Sequence, residues 1–174
     1  LWAVKLKKIN LHKKIGYSKN SILHLAAQFG TPLQVQTLIN MGISVNIENK
    51  YSKTPLHIAT GWGRLGIARV LVANGSNLNG KDYYGNTPLH NSCRTKYTEL
   101  VKYLLRKGAR VHSKNNNGKT PLHNASRYGP LKMVKLLVKK GSSIHTKDNY
   151  GRTPFFSSIY GKRLPIIKYY VRRG

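Results

Sequence analysis

Negative charge is almost missing from this chain. Its 174 residues hold four acidic side chains, Glu48, Asp82, Glu99 and Asp148, against 31 lysines and arginines, for a formal net charge of +27. Paired-carboxylate catalysis needs two acids working together, and these four are scattered too widely along the chain to offer a pair. Cysteine is nearly missing too. Cys93 stands alone, so no internal disulfide framework exists, and a reducing intracellular compartment (cytoplasm or nucleus) is the expectation. No apolar run approaches the ~18 residues that a bilayer-crossing helix needs. There is no glycine-rich phosphate loop after a strand, no zinc-ligand cluster and no His-Glu-x-x-His. The expectation is a chain with no catalytic residues, no metal, no cofactor and no small-molecule substrate.

What is present is repetition. Thr54-Pro55-Leu56-His57 returns as Thr87-Pro88-Leu89-His90 and as Thr120-Pro121-Leu122-His123, then altered as Thr153-Pro154-Phe155-Phe156, always 33 residues on. A weaker copy, Ser21-Ile22-Leu23-His24, lies one step earlier. A fixed period of this length marks stacked repeats, which offer an extended face for binding and no natural place for a catalytic pocket. Thr suits a helix N-cap and Pro the first helical position, so each phrase opens a short helix, such as Pro55 to about Trp62. Gly63 ends that helix, and a second one runs from about Arg64 to Ala73 with Ile67, Val70 and Leu71 on one face. Gly75 follows, where a left-handed residue is wanted. The stretch Asn79 to Gly85 is rich in turn formers and leads to the next Thr-Pro. Further glycines at 42, 108, 141 and 174 keep the same register.

With these phrases, its paired glycines and its 33-residue step, the sequence resembles the ankyrin repeat family over roughly residues 16–174. The resemblance implies an all-α solenoid of stacked helix-turn-helix units joined by β-turn or hairpin loops. The repeats would be 16–48, 49–81, 82–114, 115–147 and an incomplete 148–174, after a flanking or capping segment 1–15. That segment reads equally well as a capping helix or as the tail of an earlier repeat. The chain opens at Leu1 without methionine and stops where a closing loop would follow, which reads as a piece of a longer protein. Lys96 and Lys162 replace the mid-repeat glycine, so a looser inter-helix turn is expected in those two copies. Without a cap, Phe155, Phe156, Ile166, Ile167, Tyr169 and Tyr170 would form an exposed apolar end.

The histidines of the repeated phrase fall once per unit, too far apart to share a metal. They are expected to bond to the turn backbone, and His112 and His145 to be structural as well. Cys93 falls where other copies have Ala27 or Ser126, and reads as a small core residue.

In ankyrin stacks the turn tips and the exposed side of the first helix form the recognition face. Carried over by register, the partner-binding candidates are Lys50, Tyr51, Lys53, Trp62, Tyr83, Tyr84, Arg94, Lys119, Arg127, Tyr128, Tyr150 and Arg152. Tyr, Trp and Arg dominate binding hot spots because they bury large areas and keep a polar handle. A surface this positive attracts anions and repels itself. The leading expectation is therefore a non-enzymatic protein-interaction module for an acidic partner. Nucleic acid or an anionic membrane surface is the alternative, and a purely architectural spacer is a third. The second helices are basic too, through residues such as Lys102, Arg106, Lys135 and Lys139, so the charge is not confined to one groove.

Overall fold

The computed structural model describes residues 14–173, so the expectations for the N-terminal segment lie almost wholly outside the described residues. Ten helices follow in antiparallel pairs: α1 Ile22–Phe29 with α2 Pro32–Asn40, α3 Pro55–Gly61 with α4 Leu65–Ala73, α5 Pro88–Ser92 with α6 Thr98–Arg106, α7 Pro121–Tyr128 with α8 Leu131–Lys139, and α9 Pro154–Tyr160 with α10 Leu164–Val171. First helices pack on first helices and second on second, so the stack is two helical layers deep. None of the described helices is long and apolar enough to cross a membrane.

Helix starts follow the Thr-Pro signal. The hydroxyls of Thr54 and Thr87 accept from the backbone N–H three residues on, and Pro55 and Pro88 take the first helical position. The second helices end as expected, with Gly42, Gly75, Gly108 and Gly141 all at φ between 85° and 98°.

The turns between paired helices depart from the simple reading. Gly63 is left-handed at φ 71°, whereas Gly30 and Gly129 are not. There the helix stops because Thr31-Pro32 and Pro130 follow, and proline disfavours helical backbone in the residue before it. Lys162 does not loosen its turn. It takes φ 52°, and Arg163 N–H reaches back to the carbonyl of Ser158 just as Arg64 N–H reaches that of Ala59. In the copy with Lys96, α5 is only five residues long, and the turn after it is held by the Thr95 N–H and hydroxyl, which both donate to the carbonyl of Ser92.

The core repeats with the sequence. Leu23, Leu56, Leu89 and Leu122, the third letter of each phrase, are all fully buried. Each such side chain contributes about 1.5–3 kcal/mol relative to exposure. Ile67, Leu71, Leu100, Leu104, Val134 and Leu137 meet them from the second helices, and Cys93 is fully buried among them.

The C-terminal repeat exposes the apolar side chains Ile159, Tyr160, Leu164 and Val171, but most of the six residues expected there are not among them. Ile166 and Tyr170 are buried, Phe155, Ile167 and Tyr169 are half-buried, and only Phe156 of the six is exposed. The Tyr170 hydroxyl sits 2.6 Å from that of Ser126, and its ring meets Phe155 edge-on. Tyr170 thus seals the last repeat against the one before it.

Candidate interaction groove

Each inter-repeat turn is held by one side-chain oxygen. Oδ1 of Asn49 accepts from the N–H groups of Tyr51 and Lys53, and Oδ1 of Asp82 from those of Tyr84 and Asn86. Asn115 and Asp148 do the same for residues 117 and 119 and for residues 150 and 152. Two of the chain's four acids are therefore spent on turn geometry. The tips are tied edge to edge by backbone bonds, from Lys50 N–H to Ser18, Tyr83 to Tyr51, Asn116 to Tyr84 and Asn149 to Asn117. Lys19, Ser52, Gly85, Gly118 and Gly151 occupy one left-handed position 33 residues apart. At Gly85 and Gly118 the next tip presses close, and a Cβ on Gly118 would meet the backbone N of Asn149 at 2.8 Å, whereas Gly151 has open space around it.

The buried histidines clamp one repeat to the next. In His57, Nδ1 faces the backbone N–H of Thr54 at 3.1 Å and the Thr54 hydroxyl at 2.9 Å. A backbone N–H can only donate, so Nδ1 is unprotonated and Nε2 carries the hydrogen. That Nε2–H donates to the carbonyls of Asn86 and Gly80. His24, His90 and His123 repeat the arrangement, donating to Lys53, Lys119 and Arg152. All four pKa values are lowered, chiefly because burial penalises the charged form, and that of His90 falls to about 4. His112 and His145 correct the expectation of a structural role. Both are exposed, and no hydrogen bond of either ring occurs among the described residues.

Between the tips and the first helices lies a groove of three adjoining hollows. The first, about 300 Å³, is lined by Lys53, Trp62, Asn91 and Arg94. The second, about 290 Å³, is lined by Tyr84, Arg94, Asn124, Lys119, Arg127 and Tyr128. The third, about 80 Å³, is lined by Lys119, Arg127, Arg152 and Tyr160. Arg94 is common to the first two hollows, and Lys119 and Arg127 to the last two. The Arg94 and Arg127 guanidinium groups each lie 5.2 Å from the centre of the Tyr128 ring. Arg152 bonds Asp148 Oδ2 through Nε and Nη2, at 3.0 Å each. Burial lowers the Lys119 ammonium pKa, and repulsion from Arg152, Arg127 and Arg94 adds to the effect against the opposing pull of Asp148. A larger hollow of about 530 Å³ is lined by Leu25, Phe29, Leu33 and Leu38, and is the apolar stacking side of the first repeat, without convergent charge.

A profile of ankyrin repeats three copies long matches residues 3–82, 23–115, 78–148 and 110–173. The chain belongs to the ankyrin repeat family. No curated protein is similar enough to this chain to count as a match.

The ankyrin register places the twelve candidate residues in two groups. Lys53, Trp62, Tyr84, Arg94, Lys119, Arg127, Tyr128 and Arg152 line the groove. Lys50, Tyr51, Tyr83 and Tyr150 sit on the tips outside it, where Lys50 Nζ lies over the Tyr17 ring, 3.0 Å from its centre. Absent from that set are Ile58, Asn91, Asn124 and Ser157, which also line the groove. Their signal was available, because each directly follows the fourth letter of the repeated phrase, and each lies three residues before Gly61, Arg94, Arg127 or Tyr160. Residues three apart share a helix face.

Proposed function

We propose that this stack, whose family consists in general of protein–protein interaction modules, binds an acidic segment of a protein partner along the groove between its tips and first helices. The supporting observation is that Arg94, Lys119 and Arg127 converge there without a carboxylate. Among the described residues only two ion pairs form, Lys102 with Glu99 and Arg152 with Asp148. Interface anchors of this kind work by burying aromatic area and matching charge. Trp62 is 59% exposed and Tyr84 54%, so both have area left to bury. A single cysteine, buried and unpaired, accords with an intracellular setting.

The test is capture of proteins from nuclease-treated lysate at physiological salt. Wild-type protein is compared with the triple variant Trp62→Ala, Arg94→Glu, Arg127→Glu, whose circular dichroism must match. Loss of the captured proteins supports the proposal, and retention of the same proteins refutes it.

The outer face favours a second reading, attraction to a polyanion. Lys102, Arg106, Lys132, Lys135, Lys139, Lys140 and Lys168 are all exposed there. Binding through those lysines would fall steeply with salt, since phosphate contacts release counterions. A nucleic-acid affinity that is flat in salt would end that reading.

A further inference from the structure

We propose that the hollow between Arg94, Lys119 and Arg127 is a seat for a phosphate monoester, carried on a phosphorylated side chain of the partner segment. The inference rests on the acidic-partner reading and narrows it. Three cations from two successive repeats line one hollow of about 290 Å³, together with the neutral side chains of Asn115, Asn117 and Asn124. None of the three cations has an ion-pair partner among the described residues. The nearby carboxylate is already engaged, for Asp148 accepts from two backbone N–H groups through Oδ1 and from Arg152 through Oδ2. The Lys119 basicity is depressed first by burial and then by repulsion from Arg152, Arg127 and Arg94, which places these cations within reach of one another.

The ligand has to supply what the hollow lacks. A carboxylate brings one charge and two oxygens against three positive groups. A phosphate monoester brings nearly two charges and three acceptor oxygens, and guanidinium forks match its geometry. A nucleic-acid strand is the competing occupant. Strand-binding grooves stack bases on open ring faces. In this hollow the Tyr128 ring is taken by two guanidinium groups, which leaves Tyr84, 54% exposed, as the ring a base could stack on.

The experiment titrates isotope-labelled protein at 0.15 M salt and follows backbone and arginine Nε–H signals by NMR. Three probes share one short neutral peptide frame, with phosphoserine, glutamate or serine at the centre. A twelve-residue oligothymidylate is the fourth. The expected result is phosphoserine binding at least ten-fold tighter than glutamate. Shifts should centre on Arg94, Lys119 and Arg127, and Arg94→Gln, Lys119→Gln or Arg127→Gln should each weaken binding several-fold. Arg106→Gln on the outer face should leave it unchanged. Equal affinity for phosphoserine and glutamate in the groove overturns the phosphate seat while the acidic-partner reading stands. Failure of both peptides to perturb the groove overturns both. Tighter oligothymidylate binding at the same residues overturns the peptide assignment in favour of nucleic acid.

Discussion

Mild acid should unfold this protein by charging its buried histidines. Each clamp requires a bare Nδ1 facing a backbone N–H, and protonation sets N–H against N–H in a buried site. In the unfolded chain a histidine titrates near 6.5, while in the fold His90 does so at about 4. A group with a depressed native pKa binds fewer protons folded than unfolded, so its contribution is intact above about 6.5 and is lost as pH falls toward the folded value. For His90 alone the difference corresponds to roughly 3 kcal/mol at about 1.4 kcal/mol per pKa unit. His24, His57 and His123 shift in the same direction. With all four, the stability loss is bounded by about 5.5 kcal/mol per pH unit. Few other groups cloud this window. The Asp148 pKa is also lowered, on balance, by backbone and Arg152 hydrogen bonds against a burial cost, so its contribution is lost only below the usual carboxylate range. Urea unfolding followed by circular dichroism at pH 7.5, 6.5, 5.5 and 4.5 measures the effect. It should be run in 0.05 M and 0.5 M salt, because self-repulsion of a +27 chain also grows in acid but is screened by salt. A steep loss below pH 6.5 that persists in high salt is expected. No loss, or a loss abolished by salt, would refute the clamp argument.

Two further outcomes follow from the turns and the core. Gly118→Ala should cost about 2 kcal/mol or more, from the left-handed penalty and the clash with Asn149, while Ser52→Gly at the equivalent tip should gain up to about 1 kcal/mol. Urea midpoints of the two variants check both signs. Cys93 is fully buried and its thiol pKa is pushed up by that burial. Its reaction with a thiol reagent at pH 8 should therefore follow global unfolding and accelerate with urea, and labelling at the rate of a free thiol in native buffer would contradict the packing.

Much of the fold was legible in the sequence because the period does the work. Thr54-Pro55 marks a helix start by capping chemistry, and Leu56 and His57 mark what faces inward. The exceptions are places where a neighbour overrides the local residue. Lys162 takes a glycine-like conformation because the bond from Arg163 to Ser158 holds the turn. Tyr170 is buried because Ser126, 44 residues earlier, offers its hydroxyl a partner, and no local pattern announces that. In the groove, the register picked out Arg94 and Arg127, but not Asn91 and Asn124 one turn earlier. Asparagine carries no charge and little apolar area, so it does not stand out as a hot-spot residue, although its three-residue offset from each arginine is visible in the sequence. The pairing of Arg152 with Asp148, which takes one cation out of the free set, is visible only in three dimensions.

The histidine clamps also say how the molecule would behave under tension. Each joins a repeat to the following one across 29 residues, and the main helix contacts run only within a repeat or between adjacent ones. Under tension, the described repeats show no long cross-tie to share the load. The stack should give way one repeat at a time, each rupture paying out 33 residues, or about 120 Å of extended chain. The repeat with the short α5 has the least helix to hold it, so the extension trace should begin there. The molecule is thus built as a row of breakable links of nearly equal length, a spring whose step size is written in the period of its sequence.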